Sequence, residues 1–562
     1  MTTNLLSVNN LNISFYKNGI ETPIINNISF AIKPNEIVAI VGESGSGKSI
    51  SSLALMGLLP KKISKITSGS ILFDAKNLVE VTQQQFQNIR GKEIAMIFQE
   101  PMSALNPSMR CGKQVEDVLK QHSSLSASKI KSEVLSLFEK VKLPNPKKIY
   151  KTYPHQISGG QKQRVMIAMA IACKPKLLIA DEPTTALDVT VQKEILELLK
   201  TLQTETQMSI LFISHDLALV SELADKVLVM YKGKIVEQAN THAIFKTPKH
   251  NYTKALIGAR PSTAYRLKQL PTISDFMSNN VNANIVSDLD RKKNHEKLYA
   301  QTPLLEVIDI EKTYLTKKGL FSKGLPFKAV DGVSFKVYKG ETIGLVGESG
   351  CGKSTLGNAI LQLDKATSGT IIYNGKDITN LSKRQLRQLR KDIQIIFQDP
   401  FASLNPRLTV GNAILEPMCV HNIYNSNAER KAKVLELLQN VGLQATDYYK
   451  YPHEFSGGQR QRIGIARTIA LKPQLIVCDE SVSALDISVQ AQVLNLLNDL
   501  KAQFGFTYIF ISHDLAVVKY MADQLLVMNK GKIEELGDAD AIYKSPKQAY
   551  TKQLIDAIPK GI

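Results

Sequence analysis

The octapeptide GESGSGKS, from Gly42 to Ser49, decides the fold, and it recurs as GESGCGKS from Gly347 to Ser354. Each copy follows a short apolar run and precedes a helical stretch, the setting of a strand, a glycine-rich loop and a helix. Glycines let backbone N–H groups turn inward around phosphate oxygens, the lysine neutralises the phosphates, and the last hydroxyl reaches Mg²⁺. These two phosphate loops predict nucleotide sites at Lys48 and Lys353.

The sequence contains an internal repeat, because other stretches also recur in the same order in its two halves. The repeated pairs are FQEPMSALNP and FQDPFASLNP (98–107 and 397–406), YPHQISGGQKQR and YPHEFSGGQRQR (153–164 and 451–462), and ISHDLA in both halves (213–218 and 511–516). This collinearity predicts two tandem domains of about 260 residues each, not a solenoid. We place the first domain at 1–261 and the second at 303–562.

The stretch 262–302 is poor in apolar periodicity and rich in Asn, Ser, Asp and Lys, which predicts a linker. If flexible, its roughly 40 residues span about 35 Å, enough to join two domains that lie side by side. A part of it, Lys268–Ile273, can still pack on a domain surface.

Apolar runs that end in polar residues predict a parallel sheet in each half. KLLIADE (176–182) and SILFISHD (209–216) are nearly continuous apolar runs, and each has a counterpart in the second half. Strands that alternate with helical stretches indicate an α/β fold.

Asp181–Glu182 and Asp479–Glu480 end the first of these runs in each half. An adjacent acidic pair usually belongs to a solvated face. Here each pair follows an apolar strand in a chain with phosphate loops. We therefore expect the aspartate to hold the metal and its hydration shell, and the glutamate to orient or deprotonate the attacking water.

Three further repeated positions suit the same chemistry. Ser158 and Ser456 each precede two glycines and a glutamine, so they can cap a helix or present a second anion contact. His215 and His513 follow an apolar strand, where a hydrogen-bond donor would lie beside the γ-phosphate. Gln99 and Gln398 can ligate Mg²⁺ or a water molecule, although a lone glutamine is a weak signal.

Composition excludes several other classes of protein. The chain has 562 residues, 43% of them hydrophobic, and its five cysteines are scattered singly, so neither a disulfide scaffold nor a four-cysteine metal site is expected. No apolar run approaches the ~20 residues of a membrane span, and the start lacks the features of a signal peptide. A net charge of +19 admits an anionic partner such as nucleic acid, but frequent solvated lysine explains it as well.

Together, the phosphate loop, the glutamine loop, SGGQ, the Asp-Glu strand end and ISHD resemble the ATP-binding cassette (ABC) ATPases over nearly the whole chain. The resemblance implies an α/β fold of two tandem ABC nucleotide-binding domains. Each would have a RecA-like parallel-sheet core, an antiparallel β part and a helical insert. Two such domains would face head to tail, so that the phosphate loop of one half and the SGGQ of the other complete each ATP site.

The resemblance assigns roles to numbered residues, and the cofactors would be ATP and Mg²⁺. Phosphate and adenine contacts would come from Gly42, Glu43, Ser44, Gly45, Ser46, Gly47, Lys48, Ser49, Ile50, Gly347, Glu348, Ser349, Gly350, Cys351, Gly352, Lys353, Ser354, Thr355, Ser158, Gly159, Gly160, Gln161, Ser456, Gly457, Gly458, Gln459, and the aromatic Phe15 (or its neighbour Tyr16) and Tyr314. Metal contacts would come from Ser49, Gln99, Asp181, Ser354, Gln398 and Asp479, and catalysis from Glu182, Glu480, His215 and His513.

The glutamine loop, YPH and the tails TPKHNYTKAL and SPKQAYTKQL resemble the oligopeptide/dipeptide/nickel importers, in versions that fuse a D-type and an F-type subunit. This implies an ATPase at the cytoplasmic face of the inner membrane, one chain per transporter. Its partners would be two permeases and an external binding protein, with no direct contact to nucleic acid. A peptide is the expected cargo; a dipeptide, an oligopeptide, a glutathione-like molecule, a peptide antibiotic and a nickel complex stay open. The alternative is a soluble tandem ABC ATPase that acts on the ribosome or on nucleic acid.

Overall fold

The fold comes from a computed structural model, which describes residues 4–99, 104–185, 187–282, 284–316, 325–483 and 485–558. These residues form two compact units. The first contains residues 4–258 and 276–279, and the second contains 259–275 and 280–558. In the described ranges, no helix is long and apolar enough to cross a bilayer.

The first unit contains two sheets. Its strands are β1 (Leu6–Lys17), β2 (Ile20–Ile32), β3 (Ile37–Val41), β4 (Ser64–Phe73), β5 (Lys76–Asn77), β6 (Ile94–Ile97), β7 (Leu177–Asp181), β8 (Ser209–Ser214), β9 (Lys226–Tyr231) and β10 (Lys234–Asn240). An antiparallel sheet has the order β2-β1-β4-β5, and a second sheet has the order β10-β9-β3-β8-β7-β6. In the second sheet β6, β7, β8, β3 and β9 run parallel, and β10 pairs antiparallel with β9.

Helices cover this core and build an insert between β6 and β7. They are Lys48–Leu55, Gln83–Ile89, Cys111–His122, Ala127–Lys140, Pro146–Lys151, Gly159–Ile171, Val189–Thr206, Leu217–Leu223, Thr241–Lys246 and Asn251–Gly258, with a 3-10 turn at Pro154–Gln156. The insert follows the glutamine loop, of which residues 100–103 lie outside the described ranges.

The second unit repeats this plan. Its strands are β11 (Pro303–Thr316), β12 (Leu325–Tyr338), β13 (Thr342–Val346), β14 (Ser368–Tyr373), β15 (Lys376–Asp377), β16 (Ile393–Ile396), β17 (Leu475–Asp479), β18 (Thr507–Ile511), β19 (Gln524–Asn529) and β20 (Lys532–Asp538). The sheet orders are β12-β11-β14-β15 and β16-β17-β18-β13-β19-β20. Its helices are Lys353–Ile360, Lys383–Asp392, Pro400–Ser403, Val410–Val420, Asn427–Asn440, Gly457–Ile469, Ile487–Phe504, Leu515–Met521, Ala539–Lys544 and Ala549–Asp556, with 3-10 turns at Ala445–Tyr449 and Pro452–Glu454.

The predicted α/β class, with an antiparallel part and a helical insert in each half, is confirmed. Strands β3, β7 and β8 are buried along their whole length, as are β13 and β18 in the second unit. One face of each parallel sheet shares an apolar core with the antiparallel sheet, and the other face is also covered, so such strands need apolar residues at successive positions and not at alternate ones. This explains why continuous apolar runs identified them.

The segment between the two repeats carries helices Ile273–Met277 and Asp288–Tyr299, and most of it packs on the second unit. Leu270 is buried in the apolar core of that unit, and its backbone N–H and C=O both bond to the side chain of Asn495. Arg291 donates to the carboxylate of Asp538 at 2.8 Å and also reaches Asp540. The segment predicted as a linker therefore packs on the second unit despite its low apolar periodicity. The surface that it covers supplies hydrogen-bond and ion-pair partners for its polar groups.

The last turn of helix Asp288–Tyr299 covers a buried carboxylate. The Tyr299 hydroxyl donates to Glu341 Oε1 at 3.0 Å, and the Tyr338 N–H donates to Glu341 Oε2 at 2.7 Å. Burial raises the pKa of Glu341 to about 7, even though both hydrogen bonds act to lower it. A carboxyl group whose pKa is raised by folding stabilises the fold while it is protonated, and this contribution is lost as the pH rises through the folded pKa.

We predict that Glu341→Gln removes a pH dependence of stability. In the parent chain, the contribution of Glu341 to the free energy of unfolding should fall by ~3 kcal/mol between pH 4.5 and pH 7, because over this range the carboxyl ionises in the unfolded chain while the buried one stays protonated. Urea unfolding across this range measures the slope. Glu36→Gln is the matched control, since Glu36 accepts the same kind of backbone bond, from Lys33, but is only half-buried. Equal slopes for parent and Glu341→Gln would contradict the prediction.

Candidate nucleotide sites at the carboxyl ends of the parallel strands

Each phosphate loop joins a central parallel strand to a helix. In the first unit it connects β3 to helix Lys48–Leu55, and Gly47 caps that helix in the left-handed region with φ 105°. A Cβ on Gly47 would lie 2.5 Å from Ile25 Cδ1, so both the backbone angle and the space require glycine. Gly352, with φ 111°, has the same place before helix Lys353–Ile360.

The loop lysines are buried and point into their own loops. Lys48 Nζ donates to the carbonyl oxygens of Gly42 at 2.7 Å and Glu43 at 2.9 Å. Lys353 Nζ makes the same bonds, at the same distances, to Gly347 and Glu348. Each ammonium is thus held at the centre of a curled backbone, where phosphate oxygens can join it.

Ser49 and Asp181 form an oxygen cluster suited to a small cation. Ser49 Oγ lies 3.3 Å from Asp181 Oδ1, and Ser354 Oγ lies 3.1 Å from Asp479 Oδ1. Burial raises the pKa of Asp181 to about 6, and nearby Glu182 adds to the rise, while Ser49 and Lys48 act to lower it. A buried carboxylate that is costly to ionise alone, beside a hydroxyl, fits Mg²⁺, which prefers hard oxygen ligands.

Glu182 is the centre of a second cluster. Its Oε2 accepts hydrogen bonds from Gln99 Nε2 and Thr185 Oγ1, both at 3.0 Å, and lies 3.1 Å from His215 Nδ1. Burial acts to raise the pKa of Glu182, but the hydrogen bond and charge of His215, with Lys48 and Thr185, lower it to about 2. Glu182 is therefore an ionised acceptor at neutral pH.

The backbone at both candidate catalytic glutamates lies in the left-handed region. Glu182 has φ 48° and Glu480 has φ 46°, although neither is glycine. Each N–H bonds at 2.9 Å to the neighbouring strand, at Ile213 or Ile511. Strained conformations of this kind persist where the surrounding structure imposes them, and they cluster at functional sites.

The second site repeats the first with a longer histidine contact and one changed hydrogen bond. Glu480 Oε2 accepts from Gln398 Nε2 at 2.8 Å, and His513 Nδ1 lies 3.4 Å away. Ser483, which stands where the first unit has Thr185, donates to the Glu480 backbone oxygen at 2.9 Å and not to the carboxylate. Burial acts to lower the pKa of His513, but Glu480 raises it above the usual value.

The SGGQ segments begin helices in the helical insert. Ser158 Oγ accepts the N–H of Gln161 at 3.3 Å, and the Gln161 side chain accepts the Ser158 N–H at 3.2 Å, which completes a capping box. Ser456 and Gln459 do the same for helix Gly457–Ile469. Both serines are exposed, so the two predicted uses, helix cap and anion contact, are compatible.

The two candidate adenine contacts occupy equivalent positions in the antiparallel sheets. Phe15 lies in β1 opposite Thr22 of β2, and Tyr314 lies in β11 opposite Phe327 of β12. Tyr314 is 40% exposed, and its hydroxyl donates to Asp364 at 2.6 Å. The matching register selects Phe15 over its neighbour Tyr16 as the counterpart of Tyr314.

Two kinds of contact at these sites were not predicted from the sequence. The resemblance to the ABC ATPases places Thr185 in a loop that couples the two sites, and the structure adds its hydrogen bond to the catalytic cluster. Tyr252 and Tyr550 contact the phosphate loops, with the hydroxyl oxygens 2.9 and 3.1 Å from the N atoms of Glu43 and Glu348. The Tyr-Thr pair that recurs in the two tails could have pointed to these two tyrosines.

Comparison with known proteins agrees with this geometry. The profile of the ABC transporter family matches residues 25–185 and 330–483, and that of the oligopeptide/dipeptide transporter C-terminal region matches 236–284 and 535–561. The chain is 44% identical to the glutathione import ATP-binding protein GsiA of Salmonella typhimurium, over 99% of this chain and 89% of that protein. For GsiA of Escherichia coli strain K12 the identity is also 44%, over 99% and 90%.

Among solved structures, an ATP-binding cassette dimer in a post-hydrolysis state, bound to ADP and Pi, is 29% identical with a TM-score of 0.38. It covers 42% of this chain and 98% of its own. The family profile and the full-length relatives confirm the resemblance inferred from the motifs. The chain therefore belongs to the ABC transporter family, as an ATP-hydrolysing subunit that couples energy to import.

Proposed function

We propose that both halves hydrolyse ATP and that the residues named above have the predicted roles. The support is that each unit brings the phosphate-loop lysine, the hydroxyl–aspartate pair and the glutamine–glutamate–histidine cluster to one edge of its parallel sheet. Lys48 and Lys353 bind the β- and γ-phosphates. Ser49 with Asp181, and Ser354 with Asp479, hold Mg²⁺ with Gln99 or Gln398. Mg²⁺, when bound, neutralises charge that develops on the phosphate oxygens.

Glu182 and Glu480 orient the attacking water and take its proton. In the structure the Glu182 pKa is low because His215 and Lys48 stabilise the carboxylate. An arriving γ-phosphate adds negative charge nearby, which raises that pKa and makes the glutamate a stronger base. The adjacent histidine donates a hydrogen bond to the γ-phosphate. In the complete site, Ser456–Gln459 contact the ATP on Lys48, and Ser158–Gln161 contact the ATP on Lys353, while Phe15 and Tyr314 stack on adenine.

We predict that the two glutamates contribute equally. Glu182→Gln and Glu480→Gln should each lower steady-state ATP turnover by a similar factor, and the double variant should lower it by at least about 100-fold, because the general base is gone from both sites. Glu197→Gln, an exposed glutamate of the first unit, is the control that should retain turnover. A silent Glu480→Gln beside an inactive Glu182→Gln would contradict equivalence.

The second unit offers a groove for a membrane partner next to its glutamine loop. A cavity of about 480 Å³ is lined by apolar and basic side chains that include Phe397, Val420, Arg390 and Arg467. Phe397 directly precedes Gln398 and is 45% exposed, so a helix seated in this groove would contact the residue next to a metal ligand. We assign the groove to a cytoplasmic helix of a permease, and this assignment supports our proposal that the chain works at the cytoplasmic face of the inner membrane.

We further propose that the transporter contains two permeases and an external binding protein, and that it imports short peptides, a class that includes glutathione. The observation that carries this proposal is the match of both tails to the oligopeptide/dipeptide transporter C-terminal region, together with full-length similarity to glutathione import proteins. Nothing in the described ATP sites contacts cargo, so the relatives and the tails supply the substrate class.

The groove yields a second prediction for this function. Val420→Glu should reduce the amount of permease that copurifies with the chain, because it places a charge among apolar contacts, and ATP binding by the purified chain should be unchanged. Ile308→Glu is the matched control, since Ile308 is 44% exposed, Val420 is 45% exposed, and Ile308 lies on the antiparallel sheet. Equal permease recovery from both variants would contradict the assigned groove.

The substrate class is tested by uptake. Cells that lack this chain should lose accumulation of labelled glutathione or of labelled di- and oligopeptides, and mild-detergent purification of the tagged chain should recover two multi-spanning proteins. Intact uptake of all these compounds, with recovery of ribosomes and no membrane partner, would favour the soluble alternative.

A further inference from the structure

The C-terminal tail of each half touches its own phosphate loop through one tyrosine. Tyr252 is the second residue of helix Asn251–Gly258, and its hydroxyl oxygen accepts the backbone N–H of Glu43 at 2.9 Å. Tyr550 lies in helix Ala549–Asp556, and its hydroxyl oxygen accepts the N–H of Glu348 at 3.1 Å. Glu43 and Glu348 are the second residues of the two loops.

The N–H that each tyrosine binds belongs to the peptide group that also holds the lysine. The carbonyl of Gly42 and the N–H of Glu43 form one planar unit. Its oxygen accepts Lys48 Nζ at 2.7 Å while its nitrogen donates to Tyr252. A rotation of this plane would therefore break the bond to the tyrosine and displace the acceptor of the ammonium.

Glycine at the first loop position leaves this plane without restraint from a side chain on its glycine side. Gly42 has φ 154°, and a Cβ there would lie 2.1 Å from the Met230 carbonyl oxygen. Gly347 has φ 151°, and its Cβ would lie 2.1 Å from the oxygen of Met528. Because close packing excludes any larger residue, the peptide plane is restrained by hydrogen bonds, from the lysine on its oxygen and to the tyrosine on its nitrogen.

The tail helices are firmly seated and can supply that restraint. Tyr252 is fully buried, and its ring centroid lies 4.2 Å from that of Tyr231. Glu237 of β10 accepts the N–H of Lys249 at 2.8 Å and the Thr253 hydroxyl. In the second unit Glu535 of β20 accepts the N–H groups of Lys547 and Gln548, at 3.0 and 3.2 Å.

The arrangement occurs twice in different surroundings. Tyr231, whose ring lies tilted against that of Tyr252, has Asn529 at its equivalent position in the second unit, and the tail sequences differ on both sides of Tyr-Thr. The contact from hydroxyl to loop is nevertheless retained in both halves. The contact from hydroxyl to loop therefore does not depend on an aromatic ring packed against the tyrosine.

We propose that Tyr252 and Tyr550 are positioning residues that hold each phosphate loop ready for nucleotide through the Gly42–Glu43 and Gly347–Glu348 peptide groups. This rests on the proposed assignment of Lys48 and Lys353 to the phosphates of ATP. The loop is ordered before nucleotide arrives, so binding does not bear the cost of ordering it. Once bound, the phosphates hold the same loop, and the tyrosine contributes less.

Because the tyrosine acts mainly on the nucleotide-free loop, its loss should change the affinity for ATP and not the turnover. Tyr252→Phe and Tyr550→Phe keep the ring and remove only the hydroxyl oxygen. Each should weaken ATP binding at its own site by roughly 2- to 10-fold, the range of one net hydrogen bond. The kcat at saturating ATP should stay near the parent value, because bound phosphates restore the loop.

The experiment measures equilibrium ATP binding to the full chain with Mg²⁺, and kcat and KM for the assembled transporter. Thr253→Val is the matched control: it removes the next hydroxyl on the same helix, whose partner is Glu237 and not the loop. It should lower the melting temperature while leaving KM unchanged. The double tyrosine variant should raise KM with kcat retained. If Tyr252→Phe fails to fold, the test uses Tyr550→Phe, because the Tyr550 side chain is less buried.

Two results would count against the proposal and can be distinguished. If Lys48→Ala with Lys353→Ala binds ATP like the parent chain, the assignment of the phosphate sites is wrong and the role of the tyrosines falls with it. If the lysine variant no longer binds ATP but both tyrosine variants keep the parent KM, the phosphate sites are assigned correctly and the positioning role of the tyrosines is wrong. This conclusion holds whatever the melting temperatures of the tyrosine variants.

Discussion

A buried lysine ammonium held by the carbonyl oxygens of its own loop is the interaction on which each site depends. Lys48 and Lys353 are each only 5% exposed. A cation in such a place is costly unless oxygen atoms surround it, and the curled loop provides them. The requirement for that curl explains the glycines at both ends of the loop, and the buried cation explains why anionic groups gather at this edge of the sheet.

The strand order brings the remaining groups to the ammonium. Strand β3 lies between β8 and β9, and β8 also pairs with β7, so the carboxyl ends of β3, β7 and β8 meet at one edge. Asp181 ends β7, and His215 follows β8. Ligands of open parallel sheets bind at this edge. Residues more than 160 positions apart thus form one site because of the order of three strands.

The motifs and their order were sufficient to predict the fold, the family and the residues of both clusters other than Thr185, since each motif is a local pattern with its own chemistry. The left-handed backbone of Glu182 was not predictable, because contacts from neighbouring strands impose it. The choice of Phe15 over Tyr16 as the candidate adenine contact depended on the register of β1 against β2. The packing of Leu270 and Arg291 on the second unit depends on partners more than 200 residues away, which no periodicity reveals.

The two sites share their plan but differ in the contacts of their glutamates, since Thr185 reaches the Glu182 carboxylate and Ser483 does not reach that of Glu480. The central claim is nevertheless that both sites bind ATP. The most direct measurement is the number of ATP molecules retained per chain, with Mg²⁺, by the Glu182→Gln/Glu480→Gln double variant. The account predicts two per chain, and a value of one at saturation would contradict it.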